Sequence, residues 1–262
     1  MRGTIATLWL LCGTAAPALV QAGRSCEQRP QTRESVERGL ALAAATADAL
    51  EQSGAQVVLL ARAGQDLSKY GLEWSHLGFA YRAEVGAAWR VVHKLNHCGS
   101  EQAAVYRQGL GEFFLEHPHR YAAAYAVLSP AVQAKLLPIL RDDQAVLRWH
   151  EARYNLVAYP WATRYQQSNQ WALETLAGAL EPAARTRERA QAWLKLQGYT
   201  PTTLKLGPLT RLGARTFNAH IAFDDHPNAR RFSDRIDTVS ADSVFAWLPL
   251  AGVGQPMQRV PD

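Results

Sequence analysis

The sequence predicts an α+β fold in which an antiparallel β-sheet packs against helices. Four segments of the sequence predict it. A helical pattern over residues 33–53 is followed by an apolar run at 56–61 and then by a two-stranded hairpin, and a largely apolar helix lies later, between Pro160 and Pro182. Mixed order of this kind, with a strand meander in the first half, is typical of α+β proteins.

The first 22 residues have the pattern of a secretory signal peptide. Arg2 precedes an apolar run from Leu8 to Val20, and Val20-Gln21-Ala22 supplies a small-residue cleavage signal. This run is too short to cross a membrane, and no later stretch approaches the roughly 20 apolar residues that a membrane span requires. We therefore expect a periplasmic or secreted protein with no stable membrane span, in which residues 23–262 form a single α+β domain.

The net charge and the cysteines bear on nucleic-acid binding and on disulfide formation. The formal charge is +5, and it falls to +4 when Arg2 is removed with the leader. A charge this small and scattered does not indicate nucleic-acid binding. Cys26 and Cys98 are the cysteines of the mature chain, and an oxidising compartment favours a disulfide between them. The alternatives are two unrelated buried thiols or a nucleophilic Cys98.

The helix at 33–53 is predicted from apolar residues at helical spacing, with Gly54 as its stop. The hairpin joins HLGFAYRA to WRVVHKLN through a short connection that contains Gly86. Polar turn formers predict a loop over residues 64–74. The later predictions are a helix at 101–116, a strand at 121–128, helices at 130–140, 169–180 and 185–196, and strands and loops over about the last sixty residues.

Two short motifs are the strongest functional signal. They are SHLGFA at residues 75–80 and YQQSNQWALE at residues 165–174. This pair resembles the circularly permuted branch of NlpC-type papain-like cysteine peptidases and amidases, in which the histidine strand precedes the nucleophile helix. It is also similar to an uncharacterised exported bacterial family. The resemblance implies a papain-like core over residues 56–180 and leaves residues 181–262 as a C-terminal extension.

The resemblance also implies three catalytic roles. In the permuted family a histidine is the general base, a polar residue on the next strand orients it, and a cysteine begins the helix. These roles fall to His76, His93 and Ser168. A nucleophile at a helix N-terminus lies at the positive end of the macrodipole, where backbone N–H groups can stabilise an oxyanion. A serine gains far less from that position than a thiol and depends on its base entirely.

Each of the three residues also has a structural interpretation. Ser168 fits a helix N-cap, and this role is compatible with the catalytic one. His76 fits a core histidine bonded to the backbone. His93 fits a solvent-facing position, in which case Asn96 or His97 would orient the base.

The flanking residues Gln167, Asn169 and Tyr165 are predicted to bind substrate. Helix capping explains Gln167 and Asn169 equally well, and an aromatic at Tyr165 also fits the core. Asp224-Asp225-His226 has metal-ligand chemistry, but three consecutive residues rarely point at one ion, so a solvated turn is favoured. The sequence therefore indicates no metal site and no cofactor.

The predicted function is hydrolysis or acyl transfer at an amide or ester of the cell envelope, with peptidoglycan peptide or envelope lipid as the substrate. The sequence has no GxSxG motif, no HExxH motif and no P-loop, which removes those enzyme classes. The alternative is a non-catalytic envelope binding or accessory module that retains the papain-like cleft. The sequence identifies no protein partner for either function.

Overall fold

The computed structural model describes residues 30–97, 99–116, 118–217 and 220–261. The predicted leader, Cys26 and Cys98 lie outside these residues. Within them the fold is α+β, with an antiparallel sheet packed against helices. The strands are β1 (Val57–Arg62), β2 (His76–Tyr81), β3 (Arg90–Asn96), β4 (Ala103–Gly109), β5 (Ala123–Val127), β6 (Thr202–Lys205), β7 (Arg235–Thr238) and β8 (Gln258–Arg259).

Six of these strands form the main sheet, in the order β4-β3-β2-β1-β5-β8, and every neighbouring pair is antiparallel. Strands β6 and β7 form a separate antiparallel pair. The α-helices are α1 (Arg33–Gln52), α2 (Leu110–Phe114), α3 (Pro130–Arg141), α4 (Ser168–Leu180), α5 (Arg187–Leu196), α6 (Pro208–Phe217), α7 (Asn228–Phe232) and α8 (Ala241–Leu250).

Helices cover both faces of the main sheet. Because side chains alternate along a strand, β1 sends Leu59 to one face and Leu60 to the other. The face of Leu60 packs against α1 and α2, and we call it the α2 face. The face of Leu59 packs against α3, α4 and α8, and we call it the α4 face. All six residues of β1 are therefore buried.

Helix α4 is packed unusually closely at Gly178. The indole of Trp149 occupies the space where a side chain at Gly178 would lie. The indole is itself held, since Trp149 Nε1 donates a hydrogen bond to Ala184 O at 2.9 Å.

The first turn of α4 is hydrogen-bonded to β2 at the point where the hydrogen-bonded pairing of β2 with β3 stops. The paired residues of these strands run from Phe79↔Val92 to Tyr81↔Arg90. Beyond that point the amide of Leu77, which would continue the ladder, donates instead to Asn169 Oδ1 at 2.8 Å. The start of α4 is thus bonded to β2 at the residue that follows His76.

Two sequence predictions of secondary structure are wrong. The helix predicted at 101–116 is strand β4 followed by the short helix α2, because Gly109 interrupts the segment and Glu112 caps the helix by accepting from Gly109 N at 2.9 Å. The last sixty residues contain helices α6, α7 and α8 as well as strands. Among the described residues, no helix combines the length and apolar character that crossing a membrane requires.

Candidate functional site

Three neighbouring strands bring His76, His93 and Gln108 together on the α2 face. The His76 Nε2 atom lies 2.8 Å from His93 Nδ1, and His93 Nε2 lies 2.7 Å from Gln108 Oε1. We call these three side chains the histidine relay. His93 is completely buried and His76 is 9% exposed.

Local packing explains how two imidazoles fit between adjacent strands. A Cβ atom at Gly78 would lie 2.8 Å from Val91 Cγ1 and 3.0 Å from His93 Cβ, so any side chain there would push β3 away. The ring of Phe113 on α2 closes the other side, with centroid distances of 5.9 Å to His76 and 5.1 Å to His93. The glycine of the SHLGFA motif therefore makes room for His93.

The hydrogen bonds of the relay determine its tautomers. The amide oxygen of Gln108 can only accept, so His93 Nε2 carries a proton. In a neutral His93 the Nδ1 atom is then an acceptor, and His76 Nε2 must donate to it. A neutral His76 consequently has its lone pair on Nδ1, which is the nitrogen that can take up a proton.

The environment keeps His93 neutral. Burial is the main cause that lowers the pKa of His93 from 6.5 to about 4, and the positive charge of Arg62 lowers it further. Glu116 and the hydrogen bond to Gln108 oppose this shift. Arg62 is itself paired with Glu116 and donates to Phe113 O. At neutral pH the relay therefore holds no charge on its central ring.

The structure places Ser168 as the first residue of α4, and Gln167 is the N-cap. Gln167 Oε1 accepts from Asn169 N at 3.1 Å, which is the bond that a capping side chain makes. The N-cap interpretation of Ser168 is therefore wrong by one residue. Ser168 is 6% exposed. Burial raises the pKa of the Tyr154 phenol to about 12, and the Ser168 side chain opposes this shift.

The two sequence motifs meet where the β2–β3 ladder ends. His76 precedes Leu77, and Ser168 precedes Asn169, whose side chain accepts from the Leu77 amide. The imidazole of His76 lies on the α2 face, beside Phe113, while the body of α4 packs on the opposite face. The hydrogen bond at Leu77 thus joins the start of α4 to the start of β2.

The side chains predicted to bind substrate are engaged inside the fold. Gln167 Nε2 donates to Thr238 Oγ1 at 3.0 Å and to Val239 O, and Asn169 Nδ2 donates to Val239 O at 3.3 Å. These bonds tie α4 to the end of β7. The Tyr165 ring is buried, with the Arg164 guanidinium 5.2 Å from its centroid. Substrate binding by the three residues stays a prediction.

The alternative orienting residues lie apart from the relay. His97 is exposed, and its Nε2 atom lies 3.1 Å from the Tyr106 hydroxyl. Asn96 lies at the end of β3, where its amide makes a contact at 3.5 Å with His97 O. Of these three residues, His93 is the one whose hydrogen bond to His76 the structure shows.

A second buried network, on the α4 face, was not predicted from the sequence. Lys94 is completely buried, and its Nζ atom donates to Gln166 Oε1 at 2.9 Å, Gln166 O at 3.0 Å and Glu151 O at 2.5 Å. Burial is the main cause that lowers the pKa of Lys94 from 10.5 to about 7, followed by the charge of Arg187.

Glu174 is the centre of this network. Its carboxylate accepts from Arg187 Nε at 2.6 Å, Gln166 Nε2 at 2.5 Å, Gln191 Nε2 at 2.7 Å and Gln170 Nε2 at 3.1 Å. We call Lys94 and these five residues the Glu174 network. The signal that could have found it is a single carboxylate inside the largely apolar helix α4, because a buried charge needs partners.

The prediction of a solvated turn at Asp224-Asp225-His226 is wrong for two of the three residues. The side chains of Asp225 and His226 are buried, with His226 Nδ1 2.9 Å from Asp225 Oδ1 and Nε2 2.9 Å from Asp237 O. Asp224 is partly exposed and pairs with Arg164 at 2.9 Å. In the part of the chain that the structure describes, no group of three or more His, Cys, Asp or Glu side chains is arranged to hold a metal.

Comparison with known proteins assigns the chain to a family. The family model described as "Uncharacterized protein conserved in bacteria (DUF2145)" matches residues 49–248. The chain belongs to DUF2145. The DUF2145 match contains the histidine relay, Ser168 and the Glu174 network, and it confirms the expectation of an uncharacterised bacterial family. No curated protein and no solved structure matches the chain.

Proposed function

We propose that this DUF2145 protein is a hydrolase or acyltransferase that acts on an amide or ester through a papain-like centre. Its base is His76 Nδ1 and its nucleophile is the Ser168 hydroxyl. The observation that supports the proposal most directly is the histidine relay, because its tautomers put the basic lone pair of His76 on Nδ1. A permuted papain-like arrangement has the same order, with the base on a strand that precedes the nucleophile helix.

The proposed reaction uses the relay to hold one proton. Ser168 Oγ attacks the substrate carbonyl while its proton passes to His76 Nδ1. The resulting imidazolium keeps donating from Nε2 to His93 Nδ1, which is an acceptor because Gln108 holds the His93 proton on Nε2. The proton then moves to the leaving group, and water or a second acceptor takes the acyl group from Ser168.

The N-terminus of α4 supports the negative charge that forms in this reaction. The helix dipole and backbone N–H groups of a first helical turn stabilise an oxyanion, and here Gln167 Oε1 would have to release Asn169 N for this N–H to take part. The reaction also requires the Ser168 hydroxyl to turn from the Tyr154 phenol toward His76. Tyr154 would therefore compete with the base for the nucleophile.

The proposed substrate is a peptide of peptidoglycan or an acylated lipid of the envelope, in agreement with the proposed periplasmic or secreted location. Ser168 is 6% exposed and His76 is 9% exposed, so a substrate has to displace part of the surface to reach either group.

Labelling with a fluorophosphonate, together with turnover of p-nitrophenyl esters and peptidoglycan fragments, tests the proposal. We expect labelling at Ser168, and we expect Ser168→Ala and His76→Gln to abolish it. The control is Ser233→Ala, at the exposed C-terminal end of α7. A wild-type protein that is neither labelled at Ser168 nor active on these substrates would contradict the proposal.

Restoring a thiol provides a second test that does not depend on the chosen substrate. The cysteine of Ser168→Cys should react with iodoacetamide with a midpoint near or below about pH 7, whereas an ordinary thiol has a pKa near about 8.5. Ser233→Cys, at a helix C-terminus, is the matched control. Peptide-resolved mass spectrometry separates these thiols from Cys26 and Cys98. Equal midpoints for both variants would mean that the base does not act at position 168.

A non-catalytic binding module is the second candidate, and the observation that favours it is the burial of Ser168, which is 6% exposed. Gln167 and Asn169 are bonded to backbone and side chains of the fold. In that case peptidoglycan fragments should bind with the same affinity to wild type and Ser168→Ala, as measured by calorimetry. Binding that weakens together with loss of labelling would favour the enzyme.

A further inference from the structure

Helix α6 presents two leucines to solvent. Leu209 and Leu212 are three residues apart, so they lie on the same side of the helix, and both are exposed. The opposite side is fixed to the fold. Ala214 packs on the cluster around Ile236, and Arg211 Nη1 donates to Asp234 Oδ1 at 2.6 Å.

The end of α7 carries a third exposed apolar side chain, two residues before a turn that is bonded to the start of α6. Phe232 is exposed and precedes the turn at Asp234 by two residues. This turn adjoins the start of α6, because Leu206 N donates to Asp234 O at 3.0 Å and Arg211 bonds the Asp234 side chain. We call Leu209, Leu212 and Phe232 the apolar patch.

Cations border the apolar patch. Lys205 and Arg235 are register partners in β6 and β7, and both are exposed. The guanidinium of Arg231 lies 4.9 Å from the centroid of the Phe232 ring. The acid at the same turn, Asp234, is already paired with Arg211. The border therefore carries an excess of positive charge.

We propose that the apolar patch and its cationic border form a docking surface for an anionic phospholipid bilayer. Large apolar side chains that insert between headgroups gain free energy from leaving water, and basic residues beside them are attracted to anionic lipid. The surface has both features within a few residues of one turn. The three border cations match the charge of the anionic lipid headgroups, and this match is the reason to assign the surface to a bilayer.

The surface is separate from the proposed catalytic centre. The histidine relay lies on β2, β3 and β4 of the main sheet, and the docking surface is built on β6, β7, α6 and α7. Membrane docking would hold the protein at the lipid surface whether or not Ser168 is a nucleophile. The two proposals can therefore fail independently.

Vesicle flotation with the chain from residue 23 onward tests the docking surface. The probes are vesicles of phosphatidylcholine alone and vesicles with about 30% phosphatidylglycerol, at about 0.1 M salt. We expect binding to the anionic vesicles only. Replacing both Lys205 and Arg235 by Gln should lower the partition coefficient by about 20-fold or more. Replacing all three residues of the apolar patch by Ser should lower it by at least as much.

The matched control replaces two other leucines of equal exposure. Leu196 and Leu250 are 83% and 86% exposed, compared with 84% for Leu209, and they end α5 and α8. Leu196→Ser with Leu250→Ser should leave binding unchanged. All variants change exposed residues, and circular dichroism checks that each is folded.

Several outcomes would overturn the proposal. They are no binding of the wild type to anionic vesicles, equal binding to neutral vesicles, and patch or border variants that bind as well as the control. A patch variant that keeps vesicle binding but loses a protein partner in crosslinking would assign the surface to that partner instead.

Discussion

Adjacent residues of β3 belong to two different buried networks. His93 points to the α2 face and joins the histidine relay, whereas Lys94 points to the α4 face and joins the Glu174 network. Both side chains have no exposed surface. The relay is a line of three side chains with a neutral centre, and the other network surrounds the buried carboxylate of Glu174 with an arginine and three glutamines.

This difference shows two ways to bury polar groups, with different functions. In the uncharged histidine relay the hydrogen bonds must all run in one direction, and Gln108 sets that direction by fixing the tautomer of His93. A buried charge needs a full set of partners, and Arg187 provides the opposite charge while also donating to Thr163 O at 2.7 Å and Tyr165 O at 3.0 Å. The Glu174 network therefore holds the segment before α4 in place. The histidine relay instead determines which nitrogen of His76 carries a proton.

The largest expected effect is on the charged network. Glu174→Gln keeps the shape of the side chain but leaves the buried guanidinium of Arg187 without its counter-charge. Removing one partner of a buried pair costs about 3–5 kcal/mol, so the free energy of unfolding should fall by that amount in urea denaturation.

The matched control is Glu37→Gln in α1. Glu37 pairs with Arg33 at 2.7 Å, and both side chains are exposed. The expected loss is below about 0.5 kcal/mol. A Glu174→Gln protein as stable as this control would mean that the charge at Glu174 does not hold the network together.

The second largest effect is the pH dependence of the free energy of unfolding that the histidine relay causes. The folded-state pKa of His93 is about 4, below its ordinary value of 6.5. Between these values the unfolded chain binds a proton that the folded chain does not, so stability is full above pH 6.5 and falls as the pH is lowered. The loss contributed by His93 is roughly 3 kcal/mol by pH 4.

Urea denaturation at several pH values between about 7 and 4 measures this loss, and His93→Gln should reduce the slope. His150 contributes to the same slope, because burial and the charge of Lys94 also lower its pKa to about 4. His150→Gln is therefore the companion variant. A slope that persists in full after His93→Gln would show that His93 is not held neutral.

The smallest effect is at the end of the relay. Gln108→Leu removes the acceptor of His93 Nε2, so stability should fall by about 1 kcal/mol and the His93 tautomer should become mixed. The ¹⁵N chemical shifts of the two imidazoles report the tautomers. Gln102→Leu is the control, since Gln102 is exposed at the start of the same strand segment. Unchanged ¹⁵N chemical shifts in Gln108→Leu would show that Gln108 does not determine the tautomer of His93.

The sequence was sufficient to predict the helix α1, the strands β1 to β3 and the helix α4, because each has a clear periodicity or bounding prolines and glycines. It failed at β4, where a mixture of small, polar and branched residues fits a helix and an edge strand equally well. Only its pairing with β3 decides between them. The helices near the C-terminus were missed for the same reason.

The candidate site was predicted in part. The resemblance to the permuted papain-like family pairs His76 with His93, and the structure shows the two rings in contact. The contribution of Gln108 depends on the β3–β4 register. The contact of His93 with Gln108 therefore has no local signature in the sequence. The Cys26–Cys98 disulfide concerns residues outside those described.

The contact between Gly178 and Trp149 determines more than local packing. Because the indole fills the space of the missing side chain and is anchored on Ala184 O, α4 can neither slide along its axis nor turn without a collision. Ser168 lies ten residues earlier, about 15 Å along the same rigid helix. The contact between Gly178 and Trp149, near the C-terminal end of α4, therefore fixes how far the N-terminal turn of this helix extends toward the sheet.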